Sequence, residues 1–340
     1  MKLGVISPNL LEFEFEEGLQ YARDLGLRAV EVGACGLASN PKYCDREKLV
    51  KDKGEVRRWR EAFERYGLEV SALMGHGAPL SPDKRLAGEY ARQFRQTCEL
   101  MEMAGISRMT LLAGLPEGAE GDTAPNWVAF AEWAHLRDTV AWQWERRLLP
   151  YWRQHAKIAA DHGGTLCFEV HGGDLVHNPI TCKRLHDELG PVAACNFDTS
   201  HLWYQSIDPI EALRFLGPLV QHVHAKDTLI HSHHARVRGM FDTTSVEDPA
   251  NRAWTYTPPG WGHGEGFWRE FVATLRLVGY DHVVSLESES EYFDPREGVE
   301  MAAAFLKPII FEHPVGPKWW ELQGLRRAGD FTTASEEDQL

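Results

Sequence analysis

The chain has 340 residues, 43% of them hydrophobic, and a formal net charge of −14 at pH 7. This is enough apolar material for one large core, and single α/β barrels commonly reach such a length. A protein that binds a phosphate backbone needs a basic face, so the negative charge argues against nucleic acid as a partner. No apolar run approaches the roughly 18 residues of a membrane span, and no signal-peptide segment precedes the first strand, so we expect a cytoplasmic location and no membrane partner.

The six cysteines show no C-x-x-C pair, and several of them lie inside apolar runs. This pattern is typical of unpaired thiols in the core of a protein from a reducing compartment. We therefore expect no disulfide among Cys35, Cys44, Cys98, Cys167, Cys182 and Cys195.

A helix–glycine–strand unit recurs along the chain. The first strand is predicted at residues 3–6, an amphipathic helix follows at 16–25, and a second strand is predicted at 28–32 after Gly26. Glycine ends a helix well because it adopts a left-handed conformation there, and proline just after it prevents continuation. The other six joints lie at Gly67, Gly105, Gly163, Gly190, Gly217 and Gly279. Eight strands alternating with helices predict a (β/α)8 TIM barrel, in the α/β class.

Two intervals between these glycines are longer than the rest. The first contains a tryptophan-rich stretch, residues 127–152, which we interpret as helical. The second contains a polar loop at 228–264, and so long a loop inside a compact domain is usually a lid or a binding loop. We expect the barrel to occupy residues 1–312 and a partly ordered C-terminal extension to occupy 313–340, with an acidic, frayed end.

Four predicted strands, the fifth to the eighth, end in residues that bind metal ions. In a βα-barrel, functional groups gather at the C-terminal ends of the strands, and neighbouring strands bring them together. Three carboxylates and one imidazole suit a single divalent ion, with Mn²⁺ expected first and Mg²⁺, Co²⁺ or Zn²⁺ as alternatives. Any one of these residues alone is better explained as a buried polar group held by hydrogen bonds, but all four together favour a metal site. The residues are Glu169, Asp198, His224 and Glu287.

Two histidines follow these residues closely. His171 lies two positions after Glu169, on the same face of the strand, and the two glycines after it leave room beside its ring. It is a candidate for contacting substrate hydroxyls or moving a proton near neutral pH. His201 lies three positions after Asp198. Substrate contact and the orienting of a ligand carboxylate remain equal alternatives for His201.

Five more residues are candidates for binding substrate, each with a structural alternative. Lys226 either reaches a substrate oxygen or, as we favour, pairs with the aspartate after it and orients its neighbours. Glu31 and His76, at the ends of the second and third strands, either line the pocket or cap local structure. Trp261 and His263 lie near the end of the long polar loop. Flat aromatic rings suit the apolar face of a sugar, but a loop tryptophan is equally often a packing anchor.

These motifs resemble the sugar phosphate isomerase/epimerase family, within the xylose isomerase-like barrel superfamily that also contains endonuclease IV. The similar segments are the strand end at Glu169, F-D-T-S-H with Asp198 and His201, H-V-H-A-K-D with His224, and S-L-E with Glu287. The resemblance extends from residue 3 to about residue 311 and implies one divalent metal at the four matching positions. It further implies that Glu169 and Glu287 act as the acid/base pair on either face of the substrate.

One branch is more similar, the catalytic subunits of bacterial C-glycoside deglycosidases. The shared segments are E-x-H-x-G, N-F-D-x-S-H-L-W and H-A-K-D-T, with loop segments at 241–243 and 251–254. Those enzymes act on 3-keto-glycosides by removing a proton beside the ketone, so that the aglycone is eliminated. The resemblance implies His171 as the base and a small β-rich partner subunit. The chain departs from that branch at Gly172, where close relatives are expected to have proline.

We therefore expect a metal-dependent enzyme that abstracts a proton next to the carbonyl of a sugar or keto-sugar. An isomerase or epimerase is placed first, a keto-glycoside deglycosidase or lyase using the same metal second, and a homo-oligomer is expected. Endonuclease-like DNA repair would need several metals and a basic groove, which the net charge of −14 opposes. A non-catalytic scaffold is opposed by the intact set of four ligand residues.

Overall fold

A closed barrel of eight parallel strands dominates the computed structural model, which describes residues 1–322. The predicted (β/α)8 TIM barrel is confirmed. Around the barrel the order is β1-β2-β3-β4-β5-β6-β7-β10, and the barrel closes where β10 pairs with β1. The strands are β1 (Lys2–Ile6), β2 (Ala29–Gly33), β3 (Glu69–Met74), β4 (Arg108–Leu111), β5 (Thr165–Glu169), β6 (Ala193–Asp198), β7 (Val220–Ala225), β8 (Asp227–Ile230), β9 (Trp254–Thr257) and β10 (Val283–Leu286).

Helices connect the barrel strands. A π-helical turn, Trp144–Leu148, links the fifth helix to the sixth. The helices of the described residues are α1 (Phe15–Asp24), α2 (Arg46–Leu49), α3 (Lys53–Arg65), α4 (Lys84–Ala104), α5 (Ala134–Gln143), α6 (Leu149–Asp161), α7 (Pro179–Leu189), α8 (Ser200–Trp203), α9 (Pro209–Leu216), α10 (Ser232–Arg238), α11 (Glu265–Leu277), α12 (Pro295–Leu306) and α13 (Trp319–Leu322).

Sequence signals explain where these helices begin and end. Asp83 caps α4, because its carboxylate accepts hydrogen bonds from the backbone N–H groups of Arg85 and Leu86. The same helix ends at Gly105, whose φ of 65° is left-handed and would strain most other residues. All seven glycines predicted at helix–strand joints have positive φ. Each of these glycines lies between a helix and the barrel strand that follows it.

The tryptophan-rich segment is only partly helical. Helix α5 begins at Ala134, so the predicted helix over 127–152 starts too early in the sequence. Trp133 precedes it and is exposed, whereas Trp144 and Trp152 are buried in the core. Trp152 packs edge-to-face on Phe168 of β5, with ring centroids 4.8 Å apart. This part of the segment is therefore packing that supports β5.

The predicted polar loop at 228–264 contains regular structure. Strands β8 and β9 pair antiparallel from Asp227 opposite Thr257 to Ile230 opposite Trp254, and α10 lies between them. The strands are short and rich in aromatic and β-branched residues, which favour pairing. The prediction that this segment is a loop was wrong. Each strand has only four residues, and the long polar stretch between them gives no sign in the sequence that they pair.

Residues Met1–Ile310 form one compact unit, and the described residues after Ile310 belong to a second. The predicted boundary at residue 312 stays a prediction, and residues 323–340 of the predicted extension lie outside the described residues. The six cysteines are free and buried, as expected. Within residues 1–322, every helix is too short or too polar to cross a bilayer.

Replacing Phe168 with alanine is expected to destabilise the barrel. The ring is 1% exposed and rests on Trp152, so truncation leaves a cavity and should lower the free energy of unfolding by about 3–5 kcal/mol. Urea unfolding followed by circular dichroism measures the change. The control Leu277→Ala removes a side chain that is 81% exposed and should change stability by less than about 0.5 kcal/mol. Equal unfolding midpoints for the two variants would contradict this packing.

Candidate metal centre

The four predicted ligand residues meet at one end of the barrel. Glu169 and Asp198 end β5 and β6, His224 lies near the end of β7, and Glu287 directly follows β10. Because these four strands are neighbours in the closed barrel, their side chains converge. One ligand atom from each residue lies within 4.8 Å of the other three, and all four residues are buried. The cluster has the dimensions of a site for one ion.

Two carboxylate oxygens in this cluster lack hydrogen bonds within the described part of the chain. They are Asp198 Oδ2 and Glu287 Oε2. Glu287 Oε2 lies 2.7 Å from His224 Nδ1, but the pair is not aligned as a hydrogen bond. Burying an unpaired carboxylate oxygen is unfavourable unless something compensates its charge. Since three carboxylates and an imidazole are suitable donors for a divalent cation, the residues fit a metal ion.

The ionisation of these carboxylates depends on neighbouring charges. Burial raises the pKa of Asp198 to about 7, with Glu287 and Glu169 acting in the same direction and Lys226 against it. Burial also opposes ionisation of Glu287, but Lys226 and His224 hold its pKa well below the usual range. A bound cation favours the ionised form of any carboxylate beside it. Positive charge is thus what this group of side chains requires.

Three other predicted residues contact the cluster directly. His76 Nε2 lies 2.8 Å from Glu169 Oε2. His201 Nε2 lies 3.1 Å from Glu169 Oε1 and 3.4 Å from Asp198 Oδ2, without hydrogen-bond alignment to either. Lys226 Nζ lies 3.0 Å from Glu287 Oε1, and the side chain is buried. His76, His201 and Lys226 therefore surround the carboxylates with donor groups.

His171 lies beside the same cluster. Its Nδ1 is 2.6 Å from the carbonyl oxygen of Gly172. A carbonyl oxygen only accepts, so Nδ1 carries the proton and Nε2 of the neutral ring has a free lone pair. The ring centroid lies 3.9 Å from that of His201, and burial lowers the pKa of His171. This ring is suited to accept a proton.

The structure places Glu31 against His224, one of the four predicted ligand residues. Its side chain is fully buried, and its two carboxylate oxygens lie 3.0 and 3.2 Å from His224 Nε2. Thr110 donates a hydrogen bond to the same carboxylate. Burial opposes ionisation of Glu31, but His224 and His222 lower its pKa to about 2. All of these contacts are with buried side chains, and the pocket-lining alternative for Glu31 stays a prediction.

Trp261 and His263 make their contacts elsewhere. His263 Nδ1 lies 2.7 Å from Asp227 Oδ1, and its ring stacks on Trp203 with centroids 3.6 Å apart. Asp227 also accepts the backbone N–H of His263 at 2.8 Å, so the loop is fastened through this carboxylate. Trp261 is half exposed and packs on Phe293. His263 thus contacts α8 and Asp227, and Trp261 contacts the segment after β10; a role for either in binding substrate stays a prediction.

Sequence reasoning missed several residues of this region. Asn196 Nδ2 donates to Glu169 Oε2 at 2.7 Å, and His222 Nδ1 lies 3.1 Å from Asn196 Oδ1. Both lie two positions before a predicted ligand, so the two-residue period of a strand was a signal for them. Tyr256 lies under Lys226, with Nζ 4.6 Å from the ring centroid. Nothing in the sequence indicated Tyr256, because it comes from the unexpected strand β9.

Comparison with solved structures finds the same architecture elsewhere. The probable 3-DHS dehydratase AsbF from Bacillus anthracis aligns with a TM-score of 0.63 and 17% identity, covering 90% of this chain and 99% of that one. The 3-keto-D-glucoside 4-epimerase YcjR from E. coli aligns with a TM-score of 0.61 and 15% identity, covering 91% and 99%. An IolI protein with a bound zinc atom aligns with a TM-score of 0.63 and 16% identity, covering 92% and 100%. At these identities the similarity shows a shared fold alone.

Sequence comparison goes further. The family model described as Xylose isomerase-like TIM barrel matches residues 19–309. A relative from Bacillus subtilis (strain 168), named Uncharacterized protein YfiH, is 34% identical over 317 residues, which cover 91% of this chain and 99% of the relative. Since the model spans most of the chain and the relative aligns over nearly its whole length, the chain belongs to the xylose isomerase-like TIM barrel family.

Proposed function

We propose that the chain is a divalent-metal-dependent enzyme that abstracts a proton next to the carbonyl of a sugar or keto-sugar, of the isomerase or epimerase type. The observation that carries this proposal is the convergence of Glu169, Asp198, His224 and Glu287, within 4.8 Å, at the C-terminal ends of four neighbouring strands. In βα-barrels this end carries the chemistry. The 3-keto-D-glucoside 4-epimerase with the same fold supports a sugar substrate by its name.

Glu169 and Glu287 are the proposed acid/base pair. When bound, a divalent cation, with Mn²⁺ expected first, would polarise a substrate carbonyl and make the adjacent C–H bond more acidic, so that removal of the proton gives an enediolate. His76, His201 and His224 overcome burial and hold the pKa of Glu169 well below its usual range, and Lys226 and His224 do the same for Glu287. Both carboxylates are thus ionised at neutral pH and able to accept a proton.

His201 is the proposed donor to a substrate oxygen. Its Nδ1 lies 3.1 Å from both the Tyr204 and the Tyr256 hydroxyl groups, which hold the ring from one side. Its Nε2 is buried without a hydrogen-bond partner in the described chain and is directed at the carboxylate cluster. A substrate hydroxyl beside the cation would satisfy that atom. The contacts of Lys226 with carboxylates favour its orienting role.

A keto-glycoside lyase of the C-glycoside deglycosidase type is the second candidate. The free Nε2 of His171 favours it, since a neutral imidazole beside the cluster provides a base distinct from the carboxylates. In this reaction His171 takes the proton beside the ketone, and the electron pair released from the C–H bond expels the aglycone. A small β-rich partner subunit belongs to this candidate. The expected homo-oligomer, the cytoplasmic location and the absence of a nucleic-acid partner stay predictions in either case.

Glu169→Gln and Glu287→Gln are each expected to remove nearly all activity and to weaken divalent-metal binding. An amide keeps the shape of the side chain but neither accepts the substrate proton nor offers a full negative charge to the ion. Deuterium exchange into a ketose and calorimetric titration with Mn²⁺ measure the two effects. The control Glu61→Gln, on the exposed face of α3, should match the wild type in both. Near-normal turnover in either site variant would refute the assigned roles.

Isotope exchange is expected to separate the two candidate reactions. The protein is incubated with Mn²⁺ in D₂O with a free ketose in one reaction and an aryl 3-keto-glucoside in another. An epimerase or isomerase incorporates deuterium into the recovered ketose, because the abstracted proton exchanges with solvent before it returns. A lyase instead releases the aglycone, and His171→Asn should abolish that release. Absence of both exchange and release would count against the proposed function as a whole.

A further inference from the structure

Below the candidate metal centre, the interior of the barrel is unusually polar. TIM-barrel interiors are normally filled by bulky apolar side chains, and a buried carboxylate is unfavourable without compensation. Here the inward-facing groups include an acid, two imidazoles and an amide, and each residue is at most 1% exposed. They are Glu31, Thr110, Asn196, His222, His224 and Ser285. Because burying these polar groups is unfavourable, we expect them to have a function that apolar side chains in their place would not provide.

Glu31 determines which nitrogen of His224 faces the metal centre. A carboxylate accepts hydrogen bonds, so the Nε2 atom 3.0 Å from Glu31 Oε2 carries a proton. The other nitrogen, Nδ1, lies 3.1 Å from Glu169 Oε2 and 2.7 Å from Glu287 Oε2. With a cation bound among these carboxylates, Nδ1 would be the nitrogen that gives its lone pair to the ion, because Nε2 is engaged by Glu31. The alternative tautomer would leave Glu31 facing a lone pair and leave no ligand atom on His224.

We propose that Glu31 is a positioning residue that fixes the tautomer and ring orientation of His224 for metal binding. This inference rests on the proposed function. Metal-binding histidines usually donate their second N–H to a carboxylate or carbonyl, and loss of that partner typically weakens metal affinity by about 10- to 100-fold. Glu31 comes from β2, three strands away from β7 around the barrel. Glu31 thus contacts the predicted metal ligand His224 across the interior of the barrel.

The same polar layer extends to a second ligand. His222 Nε2 lies 3.5 Å from Glu31 Oε2, and His222 Nδ1 donates to Asn196 Oδ1 at 3.1 Å. Asn196 in turn donates from Nδ2 to Glu169 Oε2 at 2.7 Å. Thr110 fastens Glu31 from β4. The layer therefore reaches two of the predicted metal ligands, His224 and Glu169.

The test replaces Glu31 by leucine, which has a similar volume but no acceptor, and by glutamine, whose amide oxygen accepts from Nε2. Co²⁺ titration, followed by visible absorption, gives affinity and ligand geometry without an assay of activity. We expect about 10- to 100-fold weaker binding and an altered spectrum for Glu31→Leu, with partial recovery in Glu31→Gln. The control is Ser71→Ala on β3, which lies outside this layer and whose buried hydroxyl oxygen has no hydrogen-bond partner in the described chain. Its affinity and spectrum should equal those of the wild type.

Each outcome decides a separate claim. A wild-type protein that binds no divalent ion would remove the proposed function itself. One tightly bound ion in the wild type, with equal affinity and spectrum in Glu31→Leu, would overturn the positioning role and leave the function intact. If the wild type binds two ions and Glu31→Leu loses one of them, Glu31, His222 and His224 form a second cation site, and the positioning role is likewise overturned.

Folding of Glu31→Leu is checked by thermal unfolding of the metal-free protein. If this variant does not fold, Thr110→Val takes its place, because it keeps the side-chain volume and removes only the hydrogen bond to Glu31. A smaller but measurable loss of Co²⁺ affinity is then expected. Affinity and spectrum equal to the wild type in Thr110→Val would count against the positioning role.

Discussion

Mutual repulsion of three buried carboxylates is the constraint on which the site depends. Glu169, Asp198 and Glu287 converge where water is largely excluded, and like charges about 4 Å apart repel by roughly 4 kcal/mol at an effective dielectric constant of 20. Lys226 and the surrounding histidines offset part of this repulsion. Two carboxylate oxygens still lack hydrogen bonds within the described residues. A divalent cation at the centre is the simplest compensation that matches the donor set.

Barrel closure turns this electrostatic requirement into a geometric one. The carboxylates come from strands that are neighbours in space, although Glu169 and Glu287 are far apart in the chain. Packing of Phe168 on Trp152 and the left-handed glycines at the helix ends hold these strands at fixed positions. Packing outside the barrel thus holds the strands in place, and the polar layer around Glu31, inside the barrel, orients the ring of His224.

The sequence allowed prediction of the barrel and the convergence of the four residues, for physical reasons. Glycine and proline mark helix ends locally, and an acidic residue at the end of an apolar strand is conspicuous because it is unfavourable there. Contacts across the barrel leave no such local mark. The partnership of Glu31 with His224 joins β2 to β7, and the β8–β9 pairing joins segments separated by a polar stretch, so neither was predictable from local pattern.

Diffraction from crystals soaked in MnCl₂, recorded near the manganese absorption edge, tests the central claim most directly. The account predicts one anomalous peak, about 2–2.5 Å from oxygens of Glu169, Asp198 and Glu287 and from Nδ1 of His224. A peak that excludes two or more of these residues, or a site that remains empty at saturating Mn²⁺, would contradict it.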